Sequence, residues 1–474
     1  MRHDWVTPTL GGAAWLEKPP LYYWQATIAY ALFGVSDWAA RLPSVFDASL
    51  LVFAVYFFLR RFRLGSALDG TLMTVCAAGV VGYARAASTD MPLAAMFAIA
   101  MLAWFAWLES GPRTLLGVFY VFLALATLAK GPVAVVLASV IIITFAAARH
   151  DWKFLWRTLW WPGILLFLLL ALPWYVLAQI RNPQFFHIFI LEHNLARFGT
   201  NVFHHPEPFW YYLPVTLLGW LPWTVFVVAA VVWASRRCRQ RDADPLNTFL
   251  VIWIAAVVVL FSFSQSKLPG YVLPAIPPGI LLLANYLRSK WMGKAHLALV
   301  ILHGVVAGGL VLAALVLRSA VLQHRVEWNA VTVAVAVVFA GLIGAAVFKM
   351  GFAGLRFMTI VPAVVTLALA LRLGAPALNE MLSARSVSAA LSRVAPQALP
   401  VAAVLVSRET EFGLQFYRNQ TIPRYELGQA PKGEHLVVAR EGFREAFGRN
   451  VPGRRIMYLG NFPAQKLEFY YVGQ

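Results

Sequence analysis

Between residues 42 and 371 the chain runs through about twelve apolar stretches, each close to the roughly 18–20 residues that a helix needs to cross a bilayer. They lie near 42–59, 66–84, 91–108, 114–129, 132–148, 158–180, 210–234, 247–263, 271–287, 295–317, 330–348 and 355–371. Hydrocarbon offers no hydrogen-bond partner to an open backbone, so such stretches must become helices that pack on one another. Composition points the same way: 60% of the 474 residues are hydrophobic and 13% charged, with a mean hydropathy of +0.69. A water-soluble domain averages about 45–50% apolar and about 25% charged, so a soluble fold is excluded for most of the chain. The net charge of +18 would suggest nucleic acid in a soluble protein. In a membrane protein, bases gather in cytoplasmic loops instead, and no nucleic-acid partner is implied. Cys76 and Cys238 lie in an apolar stretch and an Arg-rich loop, which is no disulfide framework.

Loops between successive spans alternate sides, so their bases can be compared. One set, from Arg60, Arg61 and Arg63 through Arg236 and Arg237 to Lys349 and Arg356, holds 16 Lys and Arg. The other, Arg85, Lys130, Arg181, Arg197, Lys267, Arg318 and Arg325, holds 7. The positive-inside rule puts the richer set in the cytoplasm. Three regions follow: an outer loop with an interfacial helix over 1–41, a transmembrane domain over 42–375, and a soluble α/β domain over 376–474. In the last, a helix near Ala377 to Val394 precedes strand-length runs such as Val401 to Val406 and Lys466 to Val472, the alternation expected of strands. Parity places both termini outside, in the periplasm. No span precedes residues 1–41 to carry them across, so the expectation is either unaided translocation or a first helix missing from the sequence.

The outer loops carry polar residues that composition does not explain. They are Glu17-Lys18 before Pro19-Pro20, Arg85 with Asp90, Lys130 before Gly131-Pro132, Glu192 to Phe198 with His193 and Arg197, and Lys267 with Tyr271. A charge near hydrocarbon costs about 2.5–3.5 kcal/mol on insertion scales unless it is paired or interfacial. Ordinary anchoring explains Lys130 or Arg85 alone equally well. Clusters gathered on the side poor in bases point instead to a cationic pocket for an anionic ligand such as a lipid phosphate. The loop from Arg181 to Pro208 also holds His187, His193, His204 and His205 beside Glu192 and Glu207, a donor set suited to zinc, although solvated loop histidines explain it as well. Phe209, Trp210, Tyr211 and Tyr212 read as an interfacial aromatic belt.

In this order the motifs resemble those of the polyprenyl-phosphate-sugar-dependent glycosyltransferases of the GT-C type, a group within the protein O-mannosyltransferase superfamily, and most closely its lipid A aminoarabinose transferase branch. They are Asp4-Trp-Val-Thr-Pro-Thr-Leu, Trp15-Leu-Glu-Lys-Pro-Pro-Leu-Tyr-Tyr-Trp, Phe33-Gly-Val-Ser-Asp-Trp, Arg85 to Asp90, Ala129-Lys-Gly-Pro, Glu192 to Phe198, and Ser266-Lys-Leu-Pro-Gly-Tyr. The resemblance implies a mainly α fold, a polytopic transmembrane helical bundle with a small C-terminal α/β domain. It implies a phosphate site on Lys18, Arg197 and Tyr271, and a divalent metal such as zinc on Glu17 and His193. Arg85, Lys130 and Lys267 complete the expected pocket. The family's acidic segment, which supplies its principal carboxylate, would lie upstream of Asp4, and its absence here points to a misassigned start or a truncated gene. Asp90 is the acid left in the matched motifs, either as base or orienting group, or as the N-cap of the helix that follows.

The expected activity is transfer of a sugar from undecaprenyl phosphate to a lipid or glycolipid acceptor at the periplasmic face of the inner membrane. Alternatives are a protein O-glycosyltransferase, an inactive relic, and a transporter or flippase. Internal repeats and charges near the bilayer midplane mark many transporters; the sequence shows no repeat, and its charges sit at one surface.

Overall fold

A computed structural model describes residues 4–196, 207–238, 244–289, 294–322, 375–395, 399–443 and 451–473, with single positions and short pieces between them. It divides into two compact units. The first comprises residues 1–8, 15–311 and 335–364, the second 9–14, 312–334 and 365–474.

The first unit is a helical bundle. Among the described residues, six helices are long and apolar enough to span a membrane: Asp37–Phe62, Asp90–Glu109, Arg113–Lys130, Trp161–Arg181, Pro245–Ser262 and Pro269–Arg288. Two bent pairs bring the number to eight. The chain is thus a multi-pass membrane protein, and among the described residues its full-length spans are fewer than the twelve expected. Of the other expected spans, 355–371 falls largely outside the described residues, while 295–317 and 330–348 contain the shorter apolar helices Leu297–Leu310 and Ala336–Ala345. Residues 132–148 form a 17-residue helix, Val133–Arg149, which is short for a span.

The remaining difference lies in two stretches that the hydropathy pattern reads as single spans. Residues 66–84 form Ala67–Cys76 and Ala78–Ala84, bent by 60°, and 210–234 forms Phe209–Gly219 and Thr224–Arg237, bent by 116°. Pro222, which has no N–H and cannot continue a helix, sits at the second break. Open backbone at membrane depth persists only where protein satisfies it, and the two breaks satisfy each other. Ala78 N–H donates to the Leu221 carbonyl at 2.8 Å, and Trp223 Nε1 donates to the Met73 carbonyl at 2.9 Å. Trp223 and Ala77 are fully buried there.

At the centre stands Asp90–Ser110, buried on nearly every side, as an all-round apolar helix must be. It forms an antiparallel hairpin with Arg113–Lys130 across Gly111 and Pro112. Because the two helices are of similar length, Asp90 and Lys130 arrive at the same end.

The second unit holds a hairpin, β1 (Thr9–Leu10) with β2 (Ala13–Ala14), and a four-stranded sheet of β3 (Val401–Val404), β4 (His435–Arg440), β5 (Ile456–Phe462) and β6 (Leu467–Val472). The sheet order is β3-β4-β6-β5, with β3 and β4 parallel and the other pairs antiparallel. The helices Ala384–Val394 and Arg408–Arg418 pack on it through Val387, Leu391 and Leu414. The helix expected over 377–394 is two helices, Ala375–Leu382 and Ala384–Val394; the Ser383 hydroxyl caps the second by accepting from Arg385 N–H.

Candidate functional site

Residues 4–8 are pinned to the bundle by their backbone. Asp4 Oδ1 accepts from Val6 N–H at 2.9 Å and Thr7 N–H at 3.2 Å, and from Arg181 at 2.8 Å. Those donors, the Val6 N–H foremost, hold the Asp4 carboxyl below the usual carboxylate range. Trp174 Nε1 donates to the Val6 carbonyl and Trp24 Nε1 to that of Trp5. Glu17 and Lys18 then lead into the helix Leu21–Phe33.

Lys130 ends its helix, where the helix dipole favours a cation, and Asp90 opens the helix packed beside it, where the dipole favours an anion. The two form an ion pair. Thr89 occupies the N-cap position and makes no capping bond; Asp90 lies inside the first turn with its carboxylate turned to Lys130, which corrects the N-cap reading. Lys130 Nζ also lies 4.3 Å from the centre of the Tyr271 ring, a cation–π contact. Gly131 follows with φ +112°, and a Cβ there would lie 2.8 Å from Phe189, so glycine is needed on both counts.

Tyr271 is held by a residue that hydropathy assigns to the interface. Tyr212 is fully buried, unlike its exposed neighbours Phe209 and Trp210. Its hydroxyl accepts from Leu268 N–H at 3.0 Å and donates to the Leu268 carbonyl at 3.2 Å. Its ring stacks on Tyr271 at 6.5 Å. Nothing in the run Phe-Trp-Tyr-Tyr distinguishes this tyrosine; only the packing does.

These elements enclose a cavity of about 350 Å³ lined by Lys18, Lys130, His193, Asn194, Ser264 and Tyr271, with an apolar wall of Pro132, Val133, Val136 and Leu260. That volume lies within the range of about 300–1,000 Å³ typical of small-ligand pockets. Cations beside an aliphatic wall suit an amphiphile that carries a phosphate on a hydrocarbon chain.

Of the residues picked from sequence, Lys18, Lys130, His193 and Tyr271 line this cavity, Glu17 lies beside His193, and Asp90 backs Lys130. Two others lie elsewhere. Lys267 is buried, its Nζ donating to the Ser264 carbonyl at 2.6 Å, so it braces the loop and does not line the cavity. Arg85 is exposed at the end of Ala78–Ala84 and is not a lining residue. Arg197, His204 and His205 fall outside the described residues. Asn194, part of the Glu192 to Phe198 cluster but given no role from sequence, donates to the Phe189 carbonyl at 2.6 Å and so shapes the cavity rim.

For a metal, Glu17 Oε1 and His193 Nε2 approach to 3.8 Å. A zinc centre takes three or four protein ligands, and among the described residues no group of three His, Cys, Asp or Glu gathers. The described donors do not by themselves fit a zinc ion, and no chemical step is assigned to one.

Residues 17–176 match the family described as dolichyl-phosphate-mannose-protein mannosyltransferase. The chain is 32% identical over 295 residues to an undecaprenyl phosphate-alpha-4-amino-4-deoxy-L-arabinose arabinosyl transferase of Sodalis glossinidius, covering 60% of this chain and 52% of that one. It is 30% identical over 314 residues to the enzyme of the same name from Yersinia enterocolitica, covering 64% and 55%. The chain thus spans about half the length of the curated relatives it matches. The crystal structure of ArnT from Cupriavidus metallidurans bound to undecaprenyl phosphate superposes with a TM-score of 0.81 at 22% identity, over 99% of this chain and 90% of that one. In sequence and in fold the chain is aminoarabinose-transferase-like. The GT-C bundle with its small C-terminal sheet domain is therefore its architecture, and it is a multi-pass protein of the bacterial inner membrane. The family match begins at Glu17 and takes in Lys18, Asp90 and Lys130, so most of the cavity's charged groups lie within the shared segment.

Proposed function

We propose that the chain is a glycosyltransferase that moves 4-amino-4-deoxy-L-arabinose from undecaprenyl phosphate to a lipid A-like acceptor, with its cavity and its C-terminal domain on the periplasmic side. The observation that carries this reading is the cavity in which Lys18 and Lys130 stand beside the aliphatic wall of Val133, Val136 and Leu260. In the reaction the bond between the sugar's anomeric carbon and the phosphate oxygen breaks, and its electron pair stays on the phosphate. A new bond forms from the acceptor oxygen to the same carbon. Charge grows on the departing phosphate, and Lys18 is placed to stabilise it, joined by Arg197 through the family motif. Asp90 is engaged by Lys130, so its role is to orient that cation. An acceptor phosphate arrives ionised and needs only positioning, whereas an acceptor hydroxyl must pass its proton to a base.

The description of the matched family names a protein as acceptor, which favours protein O-glycosylation as a second reading. The test is transfer of labelled sugar from undecaprenyl phosphate, by the chain in lipid nanodiscs, to lipid A and to a denatured periplasmic protein extract. Label in lipid A alone supports the first reading, label in protein the second. A hydrogen bond to a charged group contributes about 1.5–3 kcal/mol, so Lys18→Ala should weaken undecaprenyl-phosphate binding by roughly one to two powers of ten. Wild-type affinity in Lys18→Ala would place the phosphate elsewhere.

A further inference from the structure

Asp47 is fully buried, ten residues into the helix Asp37–Phe62 and so about 15 Å along it. Its one polar contact among the described residues is Gln25, whose Nε2 donates to Asp47 Oδ1 at 2.9 Å. Asp47 Oδ2 and Gln25 Oε1, the other ends of the same two planar groups, are buried and find no hydrogen-bond partner. If Asp47 were ionised, two buried acceptors would lack a donor and a charge would lack a counter-ion, since none of the ion pairs among the described residues involves Asp47. Buried charges persist when paired, and otherwise neutralise. A proton on Oδ2 resolves the three together. It cancels the charge and supplies the donor that Gln25 Oε1 can accept, which closes a two-bond acid–amide ring.

The pair joins the helix Leu21–Phe33 to the helix Asp37–Phe62. The former has 13 residues, opens after Pro20 and has no side-chain cap, so its own sequence does little to fix where it sits. Tyr22 donates to the Ala40 carbonyl at 2.7 Å, one turn from Gln25. With both contacts in place, the short helix cannot slide or rotate without breaking one of them. Lys18 lies three residues before that helix. We infer that Asp47 is a neutral carboxylic acid, and that the Gln25–Asp47 acid–amide pair is the lock that positions the helix following Lys18, and through it Lys18, at the cavity. Its second half rests on the phosphate reading above; the first does not.

Two measurements on the full chain in nanodiscs test it, with undecaprenyl phosphate as the binding probe. The infrared difference spectrum between wild type and Asp47→Asn should contain the carbonyl band of a protonated carboxyl group, shifted in deuterium oxide; carboxylate bands in its place would overturn the inference. In binding, Asp47→Asn keeps one donor and one acceptor for Gln25 and should stay within about twofold of wild type. Asp47→Ala leaves both ends of the Gln25 amide unpaired and should bind about tenfold more weakly, which equals about 1.4 kcal/mol. Asp47→Asn as impaired as Asp47→Ala would show that the negative charge is needed and overturn the inference. Should Asp47→Ala fail to fold, the infrared band and the behaviour of Asp47→Asn still decide. Unchanged binding in Lys18→Ala, with the carboxyl band present, would overturn the phosphate reading and leave the acid–amide pair standing.

Discussion

Gly270 touches the cavity's ion pair without carrying a side chain, and Gly270→Ala is the sharpest probe of it. A Cβ built at Gly270 lies 2.5 Å from Asp90 Cγ, 2.6 Å from Oδ1 and 2.9 Å from Oδ2. Non-bonded carbon atoms settle at about 3.5–4.0 Å, so Asp90 or the loop must give way by about 1 Å. Asp90 is the first residue of a helix buried on nearly all sides, and the loop is clamped by Tyr212, so neither yields freely. Overpacking of this kind costs about 1–3 kcal/mol, and the displacement falls on the Asp90–Lys130 pair, in which both side chains are at most one-fifth exposed. A misplacement of about 1 Å at a reacting site can cost about a hundredfold in rate. Gly270→Ala should therefore lower sugar transfer by about ten- to a hundredfold and reduce thermal stability. Gly82→Ala, where a Cβ meets nothing within 4 Å, is the control and should leave transfer unchanged without lowering thermal stability. Transfer of label to lipid A and the melting temperature of the detergent-solubilised chain measure the two effects. Wild-type transfer by Gly270→Ala would refute the argument that Asp90 must stay where Gly270 allows it.

Tyr212→Phe removes the hydroxyl that serves both polar groups of Leu268. An unpaired buried group costs about 1–3 kcal/mol, so the variant should melt lower and bind undecaprenyl phosphate more weakly; equal melting would show that the clamp is idle. In the C-terminal domain His435 is fully buried, with Nδ1 on the Gly433 carbonyl at 2.7 Å and Nε2 paired with the Tyr425 hydroxyl. Burial holds the imidazole below its ordinary value of 6.5, so in acid the unfolded chain takes up the proton first. Its contribution is complete above that value and is lost as pH falls through the folded one; amide protection of His435–Arg440, relative to the intrinsic exchange rate at each pH, should fall from pH 7.5 to 5, and unchanged protection would contradict this. A reporter fused after Gln474 should be active only as a periplasmic enzyme, given the excess of bases in the loops on the opposite side; activity of a cytoplasmic reporter there would reverse the orientation.

The membrane class of the chain and most of the cavity's charged groups were legible from sequence because both rest on cost. An apolar stretch near 20 residues has few structures open to it in lipid, and a charge at its end is unfavourable unless it serves something. That reasoning picks out Lys18, Asp90, Lys130 and His193, which the structure brings to one cavity edge, and with them Arg85 and Lys267, which it places elsewhere. Hydropathy carries no direction, however, so it could not tell a span from a bent pair. The breaks at Ala77 and Leu221–Pro222 are stable only because the two open backbones find each other, through partners as far as 150 positions apart along the chain. Partnership was hidden for the same reason. Lys267 and Lys130 look alike as lysines at helix ends, yet one is committed to the Ser264 carbonyl and the other faces Asp90 and Tyr271. Tyr212 and Trp210 share one aromatic run, yet one is fully buried and the other exposed. Sequence sets what each residue can tolerate in lipid or water; which donor meets which acceptor is decided by the packing of helices distant along the chain.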